Sequence, residues 1–462
     1  MKCALLAGAG ALALSLPPAA LAQDHSQHAA QESDAEDEAP ADEAVDHSAM
    51  DHSAAEEPAV DHSAMDHSAD APAIDHGAMG HAAMPDGPVE GSGTARLPQA
   101  EGMMPGLHFD IGDGWMGMAH GYLWGVYTGQ SGPRGDDKLY VQSMAMLMAE
   151  KDFGGTRLQL KSMFSAEPAM DARGYPNLFA TGETANGLPL VDRQHPHDLF
   201  MELAARLDID IAPGTTAFLY GGPVGEPALG PPGFMHRASA RLNPEAPITH
   251  HWFDSTHITY GVVTAGVAGP TWQLEASAFR GQEPDEDRWD IEEPRLNSWS
   301  VRATLNPSPN WSAQVSYGRI DQPEALHPGV DEARTTASVH YNSGSGLAVT
   351  AAFSAKNRVP GPTLTAWLAE ASWDIADRHT LFGRLENARN DEFFPDHAHP
   401  LHDVAFRVTK LQAGYAYSLP LGPFGLSLGG SAAKFLKPDG LDPFYGDDPL
   451  GYTLFAKLAL GR

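Results

Sequence analysis

The sequence predicts an all-β protein, a transmembrane antiparallel β-barrel of about sixteen strands, preceded by a disordered N-terminal region rich in His, Met and acidic residues. Three observations predict it. From Gly106 onward, short segments alternate apolar and polar residues. The connections between those segments alternate between short turns and long loops, the pattern of an outer-membrane barrel. Residues 23–100, in contrast, are built from Ala, Asp, Glu, His, Ser and Pro with almost no aromatics, a composition that buries too little apolar surface to offset the entropy of ordering.

Taken in order, Lys2, the apolar run Ala4 to Leu16 and Ala20-Leu21-Ala22 read as a secretory signal over 1–22. Cys3, the one cysteine, falls inside it, so disulfides, thiolate ligands and Cys nucleophiles are excluded from the mature chain. A formal charge of −31 argues against nucleic acid as a partner. Much of that charge lies early, where no Lys or Arg occurs between Lys2 and Arg96.

Residues 23–105 read as a periplasmic tether that carries chemistry. Asp-His-Ser-Ala-Met-Asp-His-Ser-Ala stands at 46–54 and again, unchanged, at 61–69. The candidate metal ligands there are His25, His28, His47, Met50, His52, His62, Met65, His67, His76, Met79, His81 and Met84. Imidazole suits Cu(II) and Zn(II), while thioether sulfur selects Cu(I), so the mixture fits copper in either oxidation state, with other divalent metals left open. The bland alternative is an acidic, solubilising spacer.

Residues 106–462 read as the barrel. Trp272-Gln-Leu-Glu-Ala-Ser-Ala278 and Trp311-Ser-Ala-Gln-Val-Ser-Tyr317 show the alternation, which helical spacing fits poorly. Sixteen strands follow, joined by short turns such as Phe153-Gly154-Gly155 and Gly269-Pro270 and by longer loops at 129–137, 167–197, 224–256, 282–295, 321–332, 358–363, 391–405 and 437–450. A periplasmic N-terminus puts every short turn on the periplasmic side. Trp115, Tyr140, Trp272, Trp311, Tyr317 and Tyr452 are candidates for interfacial girdles, and Arg157, Lys161, Glu275, Arg302, Arg384 and Glu386 for the lumen wall.

Histidines recur in the long loops. His195 and His197 close the first, His236, His250, His251 and His257 lie in the second, and His397, His399 and His402 in a later one. Such groups hold a divalent ion if the loops converge. Alternatively they join a structural network, with Arg193, Arg237 and Arg241 as partners for His250, His251 and His257. No catalytic motif or cofactor fingerprint is present, so the chain reads as a non-enzyme.

The repeat region 46–81 resembles that of the outer-membrane copper-resistance proteins called CopB or PcoB. The body resembles them in architecture alone, and its segments Asp192–Leu199 and Phe234–Gly261 look more like an uncharacterised proteobacterial outer-membrane group. The resemblance implies copper sequestration, export or resistance at the outer membrane. Its implied partners are outer-membrane lipid, metal ions and a periplasmic copper oxidase or metal-efflux component. The competing expectation is a porin-like channel for another solute, with the tether as a buffering appendage, and a third is a barrel enzyme or surface adhesin that uses the outer loops.

Overall fold

In the computed structural model the described residues are 87–461, so the signal peptide and every ligand proposed on the tether lie outside them. The wall is made of β4 (Trp115–Gln130), β5 (Asp137–Asp152), β6 (Thr156–Phe164), β9 (Phe200–Ala212), β10 (Thr215–Gly225), β11 (Thr259–Ala268), β12 (Trp272–Phe279) and β13 (Ser298–Ser308). It continues through β14 (Trp311–Ile320), β15 (Asp331–Asn342), β16 (Leu347–Val359), β17 (Thr363–Ala376), β18 (His379–Asn390), β19 (Phe406–Leu421), β20 (Phe424–Leu436) and β21 (Leu450–Leu460). Each strand pairs antiparallel with its neighbour, and β21 pairs with β4 to close a sixteen-strand barrel. Bounds and connections follow the expected pattern closely.

The alternation in sequence becomes an inside-out distribution in space. On β5, Leu139 is 75% exposed while its neighbour Tyr140 is 4% exposed. On β12, Leu274 faces out while Gln273, Glu275 and Ser277 are buried. Apolar side chains outside and charged ones inside suit a barrel solvated by lipid, and closure leaves no strand edge unpaired there. Trp311, Tyr317 and Tyr452 face outward. Tyr140 does not: it points inward and stacks on Tyr175 with ring centroids 4.4 Å apart.

The seam departs from expectation. β21 covers only the upper part of β4, from Gly451↔Gln130 to Leu460↔Gly121. A short additional strand, β3 (Leu107–Gly112), covers the rest, from Leu107↔Ala119 to Gly112↔Trp115. β3 and β21 therefore lie end to end along one flank of β4. The physical reason is the same need to pair every backbone group facing lipid.

The boundary expected at 105 also falls too late. A small hairpin, β1 (Val89–Glu90) with β2 (Arg96–Leu97), and the residues after it lie within the barrel. Polar partners hold this crossbar there. Gln273 donates to the Thr94 carbonyl at 2.8 Å, Arg96 donates to the carbonyls of Gly269 and Trp272 at 2.9 and 2.8 Å, and Ser312 donates to the Arg96 carbonyl at 2.7 Å. Glu90 pairs with Arg157 and lies 3.5 Å from Arg206.

Two long loops fold inward over the crossbar. Residues 165–199, between β6 and β9, form a hairpin of β7 (Tyr175–Ala185) and β8 (Leu188–Gln194). Residues 226–258, between β10 and β11, contain the one-turn helix α1 (His250–Phe253). Buried ion pairs fix the second loop to the wall: Arg237 bridges Asp254 at 3.0 Å and Glu370 at 2.6 Å, and Lys410 meets Glu245 at 2.7 Å. Phe179, within β7 of the first loop, stacks on Tyr445 of the second short helix, α2 (Asp442–Tyr445), at 4.2 Å. The expected wall residues Arg157, Lys161, Glu275, Arg302, Arg384 and Glu386 all face this filled lumen, with Arg302 and Glu275 paired at 2.8 Å and Arg384 with Glu370 at 2.9 Å.

Candidate metal centre

The sequence His250-His251-Trp-Phe-Asp254 makes a single helical turn, which brings Asp254 back beneath His250. Asp254 Oδ1 lies 2.8 Å from His250 Nδ1. A 3-10 turn over Ser255–His257 then returns His257, whose Nδ1 meets the Asp254 carbonyl at 2.6 Å. Asp254 is itself fixed by Arg237, so a buried arginine orients the carboxylate that orients the imidazole.

The other loop supplies the opposing side. After β8 the chain runs Gln194-His195-Pro196-His197. His195 reaches between the two histidines of α1, its ring centroid 5.9 Å from each. His197 turns to His257, 5.4 Å away, and its Nδ1 contacts Glu167 at 2.9 Å. The loop 280–297 contributes Glu283, 3.0 Å from His251 Nδ1, and Arg288, which pairs with Glu183 and lies 3.3 Å from Asp198.

Five imidazoles thus form one buried, contiguous group. A ligand atom from each of His195, His250 and His251 lies within 4.8 Å of the other two, and Glu183, His251 and Glu283 form a second such set sharing His251. In His195, His251 and His257 the Nδ1 has a partner, whereas the buried Nε2 has no hydrogen-bond partner. His195 Nε2 does lie 3.1 Å from Glu183, off the line of a hydrogen bond. An imidazole held through Nδ1 by a carboxylate or carbonyl, with Nε2 free, is arranged as a metal ligand.

The electrostatics divide the group. Burial holds His195 and His257 well below the usual histidine range, reinforced by neighbouring imidazoles and, for His195, by Arg288, so both are neutral donors. Burial also disfavours charge on His251, but Glu283 and Glu183 outweigh it and push that group up to about 9. Burial raises Glu183 to about 7 against the pull of Arg288. A proton on His251 therefore sits where the surrounding carboxylates favour a cation.

Space approaches the centre from two sides. A cavity of about 300 Å³ toward the long-loop end is lined by Glu183, Glu283, Asp285, Glu286, Glu292 and Glu324, among others. A small one of about 30 Å³ lies on the other side, against His197, Phe234 and Met235. Larger grooves, such as one lined by Leu274, Val301 and Val315, lie on the lipid-facing side of the wall and contribute nothing here.

The histidines expected as ligands divide. His195 and His197 join the centre. His397, His399 and His402 do not: His399 stacks on Phe394 at 4.5 Å, His402 Nδ1 meets the Phe394 carbonyl at 2.9 Å, and no third donor gathers with them among the described residues. Of the arginines expected beside His250, only Arg237 is there, through Asp254. Arg193 pairs with Asp136 at 2.7 Å and Arg241 with Asp374. Glu167, Glu183, Glu283 and Arg288 were not legible as site residues. Glu324, His327 and Glu392 also gather, but Lys356 and Arg358 already neutralise those carboxylates, leaving no demand for an ion.

Gly182 tests the packing of the centre. Its φ is +130°, and a Cβ there would fall about 2.5 Å from the His251 ring. Gly182→Ala is expected to displace that imidazole and lower stability by about 1–3 kcal/mol, measured as thermal unfolding in detergent.

No family model and no curated protein matches this chain. Among solved structures, Salmonella typhi OmpF, in complex with daunomycin, is similar with a TM-score of 0.51 and 8% identity, covering 77% of this chain and 100% of its own. The DcaP channel of Acinetobacter baumannii has a TM-score of 0.45 at 14% identity, covering 77% of this chain and 100% of its own. An anion-selective porin from Comamonas acidovorans has a TM-score of 0.46 at 11% identity, covering 75% of this chain and 100% of its own. The likeness is one of fold.

Proposed function

We propose that this outer-membrane barrel binds and passes copper ions, with the lumen histidine centre as its selective element and the N-terminal tether collecting ions in the periplasm. One observation carries the reading: three buried imidazoles present converging nitrogens beside Glu183 and Glu283, at the inner end of an acidic cavity. Borderline N/O donor sets of this kind suit Cu(II) and Zn(II), and the His/Met repeats extend the preference to Cu(I). The centre holds an ion by the neutral imidazoles of His195 and His250 and by His251 once the ion displaces its proton, while Asp254 and Glu283 keep two of the rings oriented through Nδ1.

The test is metal stoichiometry of the full chain with Cu(I), Cu(II) and Zn(II), beside a chain lacking 24–84 and a full chain carrying His195→Ala, His250→Ala and His251→Ala. The triple variant should lose roughly one equivalent of Cu(II) or Zn(II), and the deletion several. Unchanged binding in the triple variant would remove the lumen centre from the reading. A second reading, a porin-like channel for another solute, is supported by the likeness of fold to OmpF. It predicts steady conductance of the intact chain without metal.

A further inference from the structure

We infer that the inner wall of β4, β5 and β6 is a thioether relay for Cu(I), leading from the histidine centre down to the short-turn mouth beside Met104. The inference rests on the metal reading above and adds a path and an oxidation state to it.

Elsewhere the lumen wall carries either polar side chains, such as Glu332, Arg334, Thr336, Ser338 and His340 along β15, or sulfur-free apolar ones, such as Leu364, Ala366 and Leu368 along β17. On β4, β5 and β6 the inward positions instead carry Met118, Met144, Met146 and Met163, each buried and packed in one cluster with Met201. Cross-strand register makes Met146 and Met163 neighbours and sets Met148 beside Met118, while Met144 opposes Tyr122. Met118 opposes Met148, and the row above runs His120, Met146, Met163 across three strands. Directly opposed side chains in a sheet have Cβ atoms about 4.5–5.5 Å apart, within reach for sulfur-to-sulfur transfer of a bound ion.

Both ends of this patch meet chemistry already described. At the top, Met235 packs against it and also lines the small cavity beside His197. At the bottom, Met104, on the segment leading from the crossbar into β3, packs against it, and Met118 sulfur sits by Gly106. His120 stands in the middle row with its buried Nδ1 lacking a hydrogen-bond partner. The cations on this wall are offset: Lys161 lies 3.8 Å from Glu202, and Arg157 pairs with Glu90 and Asp208. Methionine also serves as a gap filler in apolar cores, a role that leucine fills at nearly equal volume. Soft thioether sulfur, in contrast, selects Cu(I), and transfer along it is ligand exchange with no change of oxidation state.

The experiment follows from that difference. A full-length chain with Met50, Met65, Met79 and Met84 changed to Leu removes thioether ligands from the tether. In that background, Ag(I), a redox-inert probe, and Cu(I) are bound with and without Met118→Leu, Met144→Leu, Met146→Leu and Met163→Leu. X-ray absorption should show sulfur bonded to the ion before the four changes. After them, the sulfur signal should fall and roughly one equivalent of Ag(I) be lost, with Zn(II) binding at the histidine centre retained. Unchanged sulfur scattering and Ag(I) stoichiometry would overturn the relay. If the fourfold variant does not fold, Met146→Leu and Met163→Leu singly give the same two readouts. Loss of the histidine reading shows separately, as Zn(II) binding that survives the triple alanine variant.

Discussion

Excising Tyr175–Gln194 should turn a closed barrel into a conducting one. Gly174 already lies against Gln194 and His195, so the cut ends meet without stretching the chain. The wall does not depend on the excised hairpin, because β6 pairs directly with β9 from Thr156↔Ile209 to Phe164↔Phe200. What is lost is the larger part of one of the two inward loops: the Phe179 wedge, the bond from Lys410 to Asn177 at 3.0 Å, and that from Thr181 to Glu392 at 2.8 Å. A sixteen-strand barrel leaves an aqueous channel where its filling is removed, and with the second loop and the crossbar still in place conductance in planar bilayers should rise by about severalfold over the intact chain. An intact chain that already conducts as freely as the excised one would show that the inward loops do not close the lumen.

The second large effect is expected at Arg237. Its guanidinium is fully buried and binds Asp254 and Glu370 together. Arg237→Leu leaves two carboxylates buried, one of them still facing Arg384 but the other, Asp254, deprived of its cation. Removing one member of a buried charged group costs about 3–5 kcal/mol. Burial by itself would raise the Asp254 carboxyl, and His250 and Arg237 hold it well below the usual range, so the substitution also loosens the carboxylate that orients His250. Thermal unfolding in detergent should fall sharply, together with Zn(II) affinity. By comparison, Arg295→Ala breaks an exposed pair with Glu293 and should change stability by about 1 kcal/mol or less. Equal effects at the two positions would contradict the role given to Arg237.

The wall was legible in the sequence because lipid outside and a polar lumen inside force a period of two. Leu274 between Gln273 and Glu275 carries that signal within three residues. The hairpin β7–β8 was not legible for the converse reason: Tyr175–Ala185 is buried on both faces, so no alternation marks it. The crossbar was hidden by its Gly, Ser and Thr content, which matches a linker until Gln273 and Arg302 supply partners. At the centre, residue types were legible and convergence was not. His195-Pro-His197 and His397-Ala-His399 look alike as strings, yet one loop turns into the lumen and the other packs on Phe394 and Phe444. Glu283 gave no signal, being one acid among several in Glu283-Pro-Asp-Glu-Asp287.

The end-to-end arrangement of β3 and β21 has a consequence in time. Closing the seam joins residues as distant as Thr128 and Tyr452, 324 apart in sequence, and contacts that distant are slow to find. β3 reaches β4 through a two-residue turn and needs no such search, so it zips on as soon as β4 exists. It shields the lower edge of β4 from foreign strands meanwhile. When β21 arrives, only the upper edge is vacant, and Leu460 must stop where Gly106 begins. A local hairpin thereby sets the register of the slowest step in assembly.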